Sequence, residues 1–441
     1  MNSPVLEQAL ELASASTPAP KTAYVPTLAK KITRRGILWL GQTCNLRCHF
    51  CYFLDRIEDE RHPEHAFMSL DKAKEICRTL VDYYGNNSID LQGGEPTLWP
   101  YIYSLVEYNA SIGLASTIIS NMQVLSSRAT VARFKNAGLR DVLVSLQGLG
   151  PVYDGIVGQQ GAHVRQMKAL DNLQAEGVPF RLNTVLSRPA LEQVEDIATL
   201  AIQTGAEVVN FLGFNPFNDQ QTGKRSSVNV PRYAEIAATL DAALDTLAAA
   251  GVEANVRYLP FCMVAERHRK SIYNFGQIPY DLHENDFAGW SWTDLPAQRA
   301  HAAELTPPFQ LGQRLELGPL RAPLRRLAKE FPTIGNGLHQ IKQHVERRWA
   351  SEEPSVSIEE LYQRDARMRA REYTGYRHVA ACSQCDARNI CDGFYGDYAD
   401  LFGEDEARPI QLGGTVTDPQ HFSKEQEKRV HPDDLAWLTT P

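Results

Sequence analysis

The chain has 441 residues, of which 43% are hydrophobic and 22% are charged, and its formal net charge is −8. This composition is ordinary for a globular protein, and it lacks the basic surplus that marks most nucleic-acid-binding proteins. No run of about 18 apolar residues is present, so we expect no membrane span. Met1–Pro20 has no basic region followed by an apolar stretch, so we expect no secretory signal and a cytoplasmic location.

The length predicts one large domain and a smaller second one. Residues 1–35 are rich in Ala, Ser, Thr and Pro, which favours a mobile N-terminal extension. Residues 36–255 alternate short apolar runs with amphipathic stretches and form the first predicted domain. The second domain is predicted at 256–412, with a basic helical insertion at about 310–350. Residues 413–441 are predicted to form a polar C-terminal tail.

Six strands are predicted in the first domain, each followed by a helix. The strands are Gly36–Leu40, Ser88–Leu91, Ser116–Ser120, Asp141–Leu146, Phe180–Leu186 and Val208–Phe214. The helices are Ser69–Tyr84, Tyr101–Ile112, Ser127–Ala137, Ala162–Glu176, Leu191–Thr204 and Tyr233–Ala250. Strand–helix units in series predict an α/β fold with a parallel sheet and right-handed crossovers. Six units are fewer than the eight that close a full barrel, so the prediction is an open, partial (β/α)6 barrel.

Three cysteines, Cys44, Cys48 and Cys51, follow the first predicted strand directly. Their C-x3-C-x2-C spacing suits an iron–sulfur cluster in which three irons have a thiolate ligand and the fourth has none from the protein. A metal with an open coordination position can bind and activate a substrate. The alternatives are a zinc site completed by His49 or His62, or a disulfide pair.

A second motif, GGEP at Gly93–Pro96, follows the second predicted strand. Together with CNLRCHFCY and the six-unit sheet, it makes residues 36–250 resemble the radical S-adenosylmethionine (radical SAM) enzyme superfamily. The resemblance implies that the three cysteines ligate a [4Fe–4S] cluster and that S-adenosylmethionine chelates the fourth iron. An electron from a reductant such as flavodoxin or ferredoxin would then release a 5′-deoxyadenosyl radical.

The resemblance also implies a set of S-adenosylmethionine contacts. Phe50 would contact the adenine, Gly93 and Gly94 would let the backbone approach the cofactor closely, and Glu95 would lie near its amino group. Polar residues at later strand ends would reach its ribose and carboxylate: Ser120, Asn121, Ser145 and Asn183. Each of these polar residues has a plainer interpretation as a loop cap. Gln147 stands where relatives often have an acidic residue.

A second cysteine group, Cys382, Cys385 and Cys391, resembles the end of the SPASM or Twitch auxiliary-cluster domains of radical SAM enzymes. The upstream part of that pattern fits Cys262 and Gly276. Two cysteines of a full SPASM pattern are replaced here by Tyr395 and Asp281. Four thiolates remain, which suffice for one auxiliary [4Fe–4S] cluster in a Twitch-like or truncated SPASM-like domain. Structural zinc is the alternative for the group, simple burial is the alternative for Cys262, and core packing is expected for Cys77.

The sequence leaves the substrate open. The N-terminal extension is too short to fold as a peptide-recognition module, so the leading hypothesis is hydrogen abstraction from a small metabolite, such as a sugar, a nucleotide or an amino-acid derivative. The alternatives are a radical SAM enzyme that modifies a peptide or activates a protein, and a non-catalytic iron–sulfur or zinc protein.

No catalytic acid, base or hydrogen donor can be assigned from the sequence, and the oligomeric state is equally open. Loop residues that could line a pocket are Tyr153, Asp154, Asn215, Tyr258, Tyr280, Asp281 and His283. The basic insertion could bind an anion or form a solvated helical face. Its basic residues are Arg314, Arg321, Arg325, Arg326, Lys329, Lys342, Arg347 and Arg348.

Overall fold

The computed structural model describes most of the chain outside residues 292–369. The described residues are 23–25, 33, 35–62, 65–82, 85–216, 227–283, 288–291, 370, 375–431, 434 and 435, with scattered positions between 317 and 345. Of the predicted basic side chains at 310–350, all except Lys342 lie outside the described residues, as does most of the predicted N-terminal extension.

Eleven strands and nine α-helices occur in the described residues. The strands are β1 (Ala23–Val25), β2 (Arg35–Trp39), β3 (Ser88–Gln92), β4 (Ala115–Ser120), β5 (Leu139–Ser145), β6 (Phe180–Leu186), β7 (Val208–Gly213), β8 (Glu253–Arg257), β9 (Ile272–Tyr273), β10 (Ala288–Ser291) and β11 (Lys428–Val430). The helices are α1 (Leu54–Glu58), α2 (Leu70–Asp82), α3 (Ile102–Ser111), α4 (Arg128–Asn136), α5 (Gly150–Val157), α6 (Ala162–Glu176), α7 (Val194–Thr204), α8 (Tyr233–Ala249) and α9 (Gly396–Phe402). None of the described helices is both long and apolar enough to cross a membrane.

One parallel sheet carries the fold, in the order β10-β2-β3-β4-β5-β6-β7-β8-β9. Strands β2 to β7 with their following helices are the six predicted units, and they form the predicted open half-barrel. The sheet continues beyond the predicted domain boundary at residue 255, because β8 crosses it and β10 pairs with β2 at the opposite edge. These added strands have five residues or fewer, and among the described residues no α-helix lies between β8 and β9, so the strand–helix pattern does not continue through them.

The helices bury one apolar face each against the sheet. In α2 this face consists of Ala73, Ile76, Cys77 and Leu80, which are all fully buried and lie at helical spacing on one side. Cys77 is therefore a core residue, as predicted. The periodicity that predicted the helix also determines which of its sides packs inward.

Buried ion pairs close the N-terminal end of the half-barrel. The guanidinium of Arg35 lies 2.6 Å from a carboxylate oxygen of Asp90, and Arg181 Nε lies 2.9 Å from Asp141. All four side chains are almost completely inaccessible to solvent. Charges this deeply buried require such partners, so these pairs hold adjacent strands in register beneath the cavity.

The segment predicted as a polar tail also packs under the barrel. Lys428 in β11 is 2% exposed, and its ammonium donates to Glu253 Oε1 at 2.5 Å and to Asn255 Oδ1 at 2.8 Å. Gln426 donates to the carbonyl oxygen of Ala254 at 2.8 Å. Residues after 413 thus include part of the structural base of the sheet, which their polar composition concealed.

Candidate active site

A cavity of about 500 Å³ lies at the C-terminal ends of the sheet strands. Side chains two residues apart on each strand point into it, as the pleat of a strand requires. The inward pairs are Ile37 and Trp39, Asp90 and Gln92, Leu143 and Ser145, and Asn183 and Val185. This alternation could have predicted most of the barrel lining from the sequence.

All three cysteines of the first group line this cavity. Their loop docks along the segment that follows β3: the amide of Gly94 donates to Gly41 O at 2.8 Å, and the amide of Glu95 donates to Thr43 O at 2.8 Å. On the other side, the amides of Arg47 and His49 donate to Val157 O and Ile156 O, each at 3.0 Å. Carbonyls at the end of α5 that have no partner within the helix therefore anchor the cysteine loop.

Gly93 and Gly94 are required by the cysteine loop itself. A Cβ atom on Gly93 would lie 2.2 Å from Gly41 O, and one on Gly94 would lie 2.2 Å from Thr43 O. Gly93 also has φ of +146°, which side chains rarely adopt. Both glycines line the cavity, as expected. The space left by their missing side chains is occupied by the backbone of the loop that carries the cysteines.

The side chain of Glu95 is buried, since the residue is only 1% exposed, and its carboxylate is hydrogen-bonded to protein groups. Its carboxylate accepts from Thr97 Oγ1 at 2.6 Å, from Ser120 Oγ at 2.9 Å and from the amide of Asn121 at 2.7 Å. Burial raises the pKa of this carboxyl group. Glu95 therefore joins the ends of β3 and β4, and it orients Ser120 and Asn121.

The other residues predicted to contact S-adenosylmethionine divide into two groups. Phe50, Asn121, Ser145 and Asn183 line the cavity, whereas Ser120 is buried behind it, because its hydroxyl is bound to Glu95 and to the amide of Met122. Asn121 Nδ2 donates to Asn45 Oδ1 at 2.8 Å and lies 3.8 Å from Cys44 Sγ. Asn121 thus connects β4 to the cysteine loop, a contact that strand-end position alone did not predict.

Gln147, the residue that replaces an acidic one, joins two strands. Its Nε2 donates to Asn183 O at 3.1 Å, and its Oε1 accepts from the amide of Val185 at 2.8 Å. An ionised carboxylate has acceptors only and could not make the first of these bonds. The amide side chain of Gln147 therefore matches the backbone carbonyl of Asn183 and the backbone amide of Val185.

The electrostatics of the first cysteine group disfavour free thiolates. Burial, followed by the nearby Glu95 carboxylate, raises the pKa of Cys44 to about 12, and burial with the neighbouring thiols raises the pKa of Cys48 well above its usual value. These groups lose their protons only to a cationic partner such as a bound metal. Three convergent sulfurs in a cavity, with the polar groups of Asn121 close by, fit an iron–sulfur cluster.

One wall of the cavity is aromatic. It contains Tyr258, Phe275, Tyr376 and Tyr395, whose neighbouring rings have centroids 5.3 to 6.0 Å apart. Tyr258 has a left-handed backbone conformation, φ +62°, which is uncommon for a bulky residue and is often associated with functional sites. Phe275 and Tyr376 were not predicted as site residues, because nothing in their local sequence shows that two distant segments meet here.

The loop residues considered as proton or hydrogen donors occupy different places. Tyr153, Asn215 and Tyr258 line the cavity. Asp154 instead accepts from the amides of Gly161 and His163 at the start of α6. The remaining three are buried outside the cavity lining, toward the base of the barrel: Tyr280, Asp281 and His283.

All four cysteines of the predicted auxiliary set, Cys262, Cys382, Cys385 and Cys391, line a second, enclosed pocket. Backbone amides donate to two of the sulfurs, Gly393 N to Cys391 Sγ and Ile410 N to Cys385 Sγ, each at 3.4 Å.

Amide donors to cysteine sulfur tune iron–sulfur clusters, and a set of four cysteines also suits zinc. In the described parts of the chain, no three His, Cys, Asp or Glu side chains are arranged to hold a single metal ion, and this holds for both cysteine groups. The case for metal binding at either group rests on the sequence spacing and on the shared cavity lining, and metal analysis has to separate iron–sulfur from zinc.

Comparisons with known proteins find similar sequences and structures. A sequence model of the Radical SAM superfamily matches residues 40–201. An AdoMet-dependent heme synthase from Oleidesulfovibrio alaskensis is 29% identical over 174 residues, which cover 39% of this chain and 43% of that protein. A PqqA peptide cyclase from Rhodopseudomonas palustris is 30% identical over 172 residues, which cover 39% of this chain and 44% of that protein. The crystal structure of Streptococcus suis SuiB bound to S-adenosylmethionine has a TM-score of 0.43 and 19% identity, covering 51% of this chain and 50% of that one.

The half-barrel and the cysteine loop, together with the family match at residues 40–201, define a radical SAM domain in this part of the chain. The curated relatives that it matches are named as enzymes. The aligned segment spans less than half the length of these relatives. The domain implies a [4Fe–4S] cluster, S-adenosylmethionine and an external reductant.

Proposed function

We propose that this protein is a radical SAM enzyme that abstracts hydrogen from a small metabolite. The observation that carries the proposal is the convergence of Cys44, Cys48 and Cys51 with an aromatic wall on a single cavity. When bound to the cluster and reduced, S-adenosylmethionine supplies a 5′-deoxyadenosyl radical. The residues of this chain hold the cysteine loop through Gly93 and Gly94, orient Asn121 through Glu95, and surround the reacting groups with side chains that exclude water.

The size and lining of the cavity support a small substrate. The cavity of about 500 Å³ would be shared by the cluster, S-adenosylmethionine and the substrate, and small-molecule sites usually have roughly 300–1,000 Å³, so the remaining space suits a small ligand. The wall formed by Tyr258, Phe275, Tyr376 and Tyr395 offers apolar and planar surface, while Gln92, Ser145 and Asn183 offer polar groups. Such a combination orients a ligand that has both an apolar and a polar part.

A peptide substrate is the second candidate. One of the matched relatives is named as a PqqA peptide cyclase, although only 44% of that protein is covered. A peptide would place one side chain in the cavity and leave the rest of its chain outside it.

We further propose that Cys262, Cys382, Cys385 and Cys391 bind one auxiliary [4Fe–4S] cluster. The support is their common pocket and the two amide donors to sulfur. Anaerobic iron and sulfide counting tests this directly. About eight irons per chain are expected, whereas about four irons with one zinc would refute the auxiliary cluster.

The proposed activity is tested with anaerobically reconstituted protein, S-adenosylmethionine and a strong reductant such as dithionite. The expected product is 5′-deoxyadenosine, with none from a variant in which Cys44, Cys48 and Cys51 are replaced by alanine. Wild-type protein that holds its cluster but yields no 5′-deoxyadenosine would refute the proposal in favour of a non-catalytic iron–sulfur protein.

Metabolite extract from the source cells, separated by size, then distinguishes the two substrate classes. Stimulation of 5′-deoxyadenosine formation by the fraction below about 1 kDa, which is the size of a drug-like ligand or smaller, is the expected result. Stimulation only by a protease-sensitive fraction would favour a peptide.

A further inference from the structure

Tyr153 carries a buried hydroxyl group that no described protein group binds. The residue lies on α5, is 0% exposed, and its Oη has no hydrogen-bond partner among the described residues. Leaving a buried hydroxyl without a partner costs about 1–3 kcal/mol. A phenylalanine would fill the same space without this cost, so the hydroxyl calls for a partner that the described protein groups do not provide.

The surroundings of the hydroxyl indicate where that partner lies. Tyr153 lines the main cavity and packs in one apolar cluster with Leu46, Cys44 and Cys48. The charged or chargeable neighbours that act on its hydroxyl are, in order of strength, Cys48, Glu95, Asp154 and Cys44.

The two carboxylates among these neighbours already accept other hydrogen bonds. Glu95 accepts from Thr97, Ser120 and Asn121, and Asp154 accepts from two amides at the start of α6. The acceptor that remains is the group that fills the cavity in front of Cys44 and Cys48.

We propose that the Tyr153 hydroxyl donates a hydrogen bond to the iron–sulfur cluster held by Cys44, Cys48 and Cys51, and thereby raises its reduction potential. The inference rests on the proposed function, because it requires the cluster. Reduction adds one negative charge, so a donor stabilises the reduced cluster more than the oxidised one. Tyr153 is thus a positioning and tuning residue that is distinct from the ligands.

The test is the midpoint potential of the Tyr153→Phe variant, measured without S-adenosylmethionine by redox titration and electron paramagnetic resonance. At a fixed applied potential, we expect the ratio of reduced to oxidised cluster to fall about tenfold. For a one-electron couple this corresponds to a midpoint potential that is lower by about 59 mV. The matched control is Tyr395→Phe, which removes another hydroxyl from the lining of the same cavity. Tyr395 packs in a different apolar cluster from Cys44 and Cys48, so the variant should leave this potential unchanged.

A second measurement separates tuning from a structural role. The cluster-free Tyr153→Phe protein should melt at the same temperature as the cluster-free wild type or above it, because the variant loses only an unpartnered hydroxyl. A clearly lower melting temperature would show that the hydroxyl binds a protein group, and it would overturn the proposal. An unchanged potential in a variant with full iron content would overturn it as well, while leaving the proposed function intact. Wild-type protein that assembles no cluster would overturn both.

Discussion

The most direct test of the site architecture is the substitution Gly94→Ala. The new methyl group would lie 2.2 Å from Thr43 O, which is 1.2 Å less than the 3.4 Å at which ordinary contact begins. The atom that it meets belongs to the backbone, so no side-chain rotation relieves the clash. The cysteine loop therefore has to move away from the end of β3.

The cost follows from what the loop loses. Overpacking of this kind costs about 1–3 kcal/mol, and the bonds from the amides of Gly94 and Glu95 to the loop, both 2.8 Å long, each contribute about 0.5–1.5 kcal/mol. If the variant loop has to return to its original position to bind the cluster, at a cost of about 3 kcal/mol, the binding constant for the cluster falls by a factor of about 100.

Chelator titration of the reconstituted protein measures this loss. Gly94→Ala should release the iron of the first site at much lower chelator concentration, while the iron held by the second cysteine group stays in place as an internal reference. The control is Gly155→Ala on α5, where an added Cβ meets no atom within 4 Å and an alanine should stabilise the helix by about 0.5–1 kcal/mol. Equal iron retention in the two variants would refute the docking of the cysteine loop on Gly94.

Three further outcomes are expected. Cys262→Ser should lower the iron content from about eight to about four per chain, whereas Cys77→Ser should keep all of it because that thiol is buried in the core; equal iron in both would contradict the auxiliary site. Lys428→Met should lower the free energy of unfolding by about 3–5 kcal/mol in urea titrations, because it removes the ammonium that pairs with the buried carboxylate of Glu253, and the exposed Lys424→Met is its control. Burial raises the pKa of Glu253, but Lys428 and His283 together outweigh this and lower it to about 2. The stability gained is therefore present above pH 4.5 and lost as the pH falls from 4.5 toward 2, and a wild-type protein with no extra acid sensitivity relative to Lys428→Met would contradict the pairing.

The sequence patterns predicted the strands and helices that depend on residues close together in the chain. Two predicted elements, Phe180–Leu186 and Ala162–Glu176, coincide with β6 and α6, and the other five strands and five helices differ by one to three residues at their ends. Apolar spacing and turn residues act within a few positions of the chain, so they are readable there. The short strands β9 and β10 carry too few residues for any such pattern, and their pairing partners are remote.

The lining of the cavity could be predicted where a motif and a strand end coincide, and could not be predicted where contacts between distant segments decide. Ser120 ends β4 as expected, yet it turns toward Glu95 because a buried carboxylate needs donors. Phe275 and Tyr376 reach the cavity only because the C-terminal segment folds back over the sheet: Asp392 accepts from the amide of Phe275 at 2.8 Å, and Gln277 Nε2 donates to Ile390 O at 2.9 Å. Nothing in the sequence around Phe275 and Tyr376 indicates that the C-terminal segment folds back over the sheet.

Tyr395 and Asp281, which stand where a full SPASM pattern has cysteines, bear on the number of auxiliary clusters. Tyr395 contributes its ring to the cavity wall and packs edge-on against Tyr376, 5.3 Å between centroids. Asp281 is fully buried and forms an ion pair with Arg257, which itself lines the cavity. Each position therefore serves the barrel: Tyr395 forms part of the aromatic wall, and Asp281 holds a cationic side chain at the base. A second auxiliary cluster would need thiolates at positions now committed to these contacts. The two residues therefore support the proposal of one auxiliary cluster rather than two, and they show that the C-terminal segment helps to form the cavity.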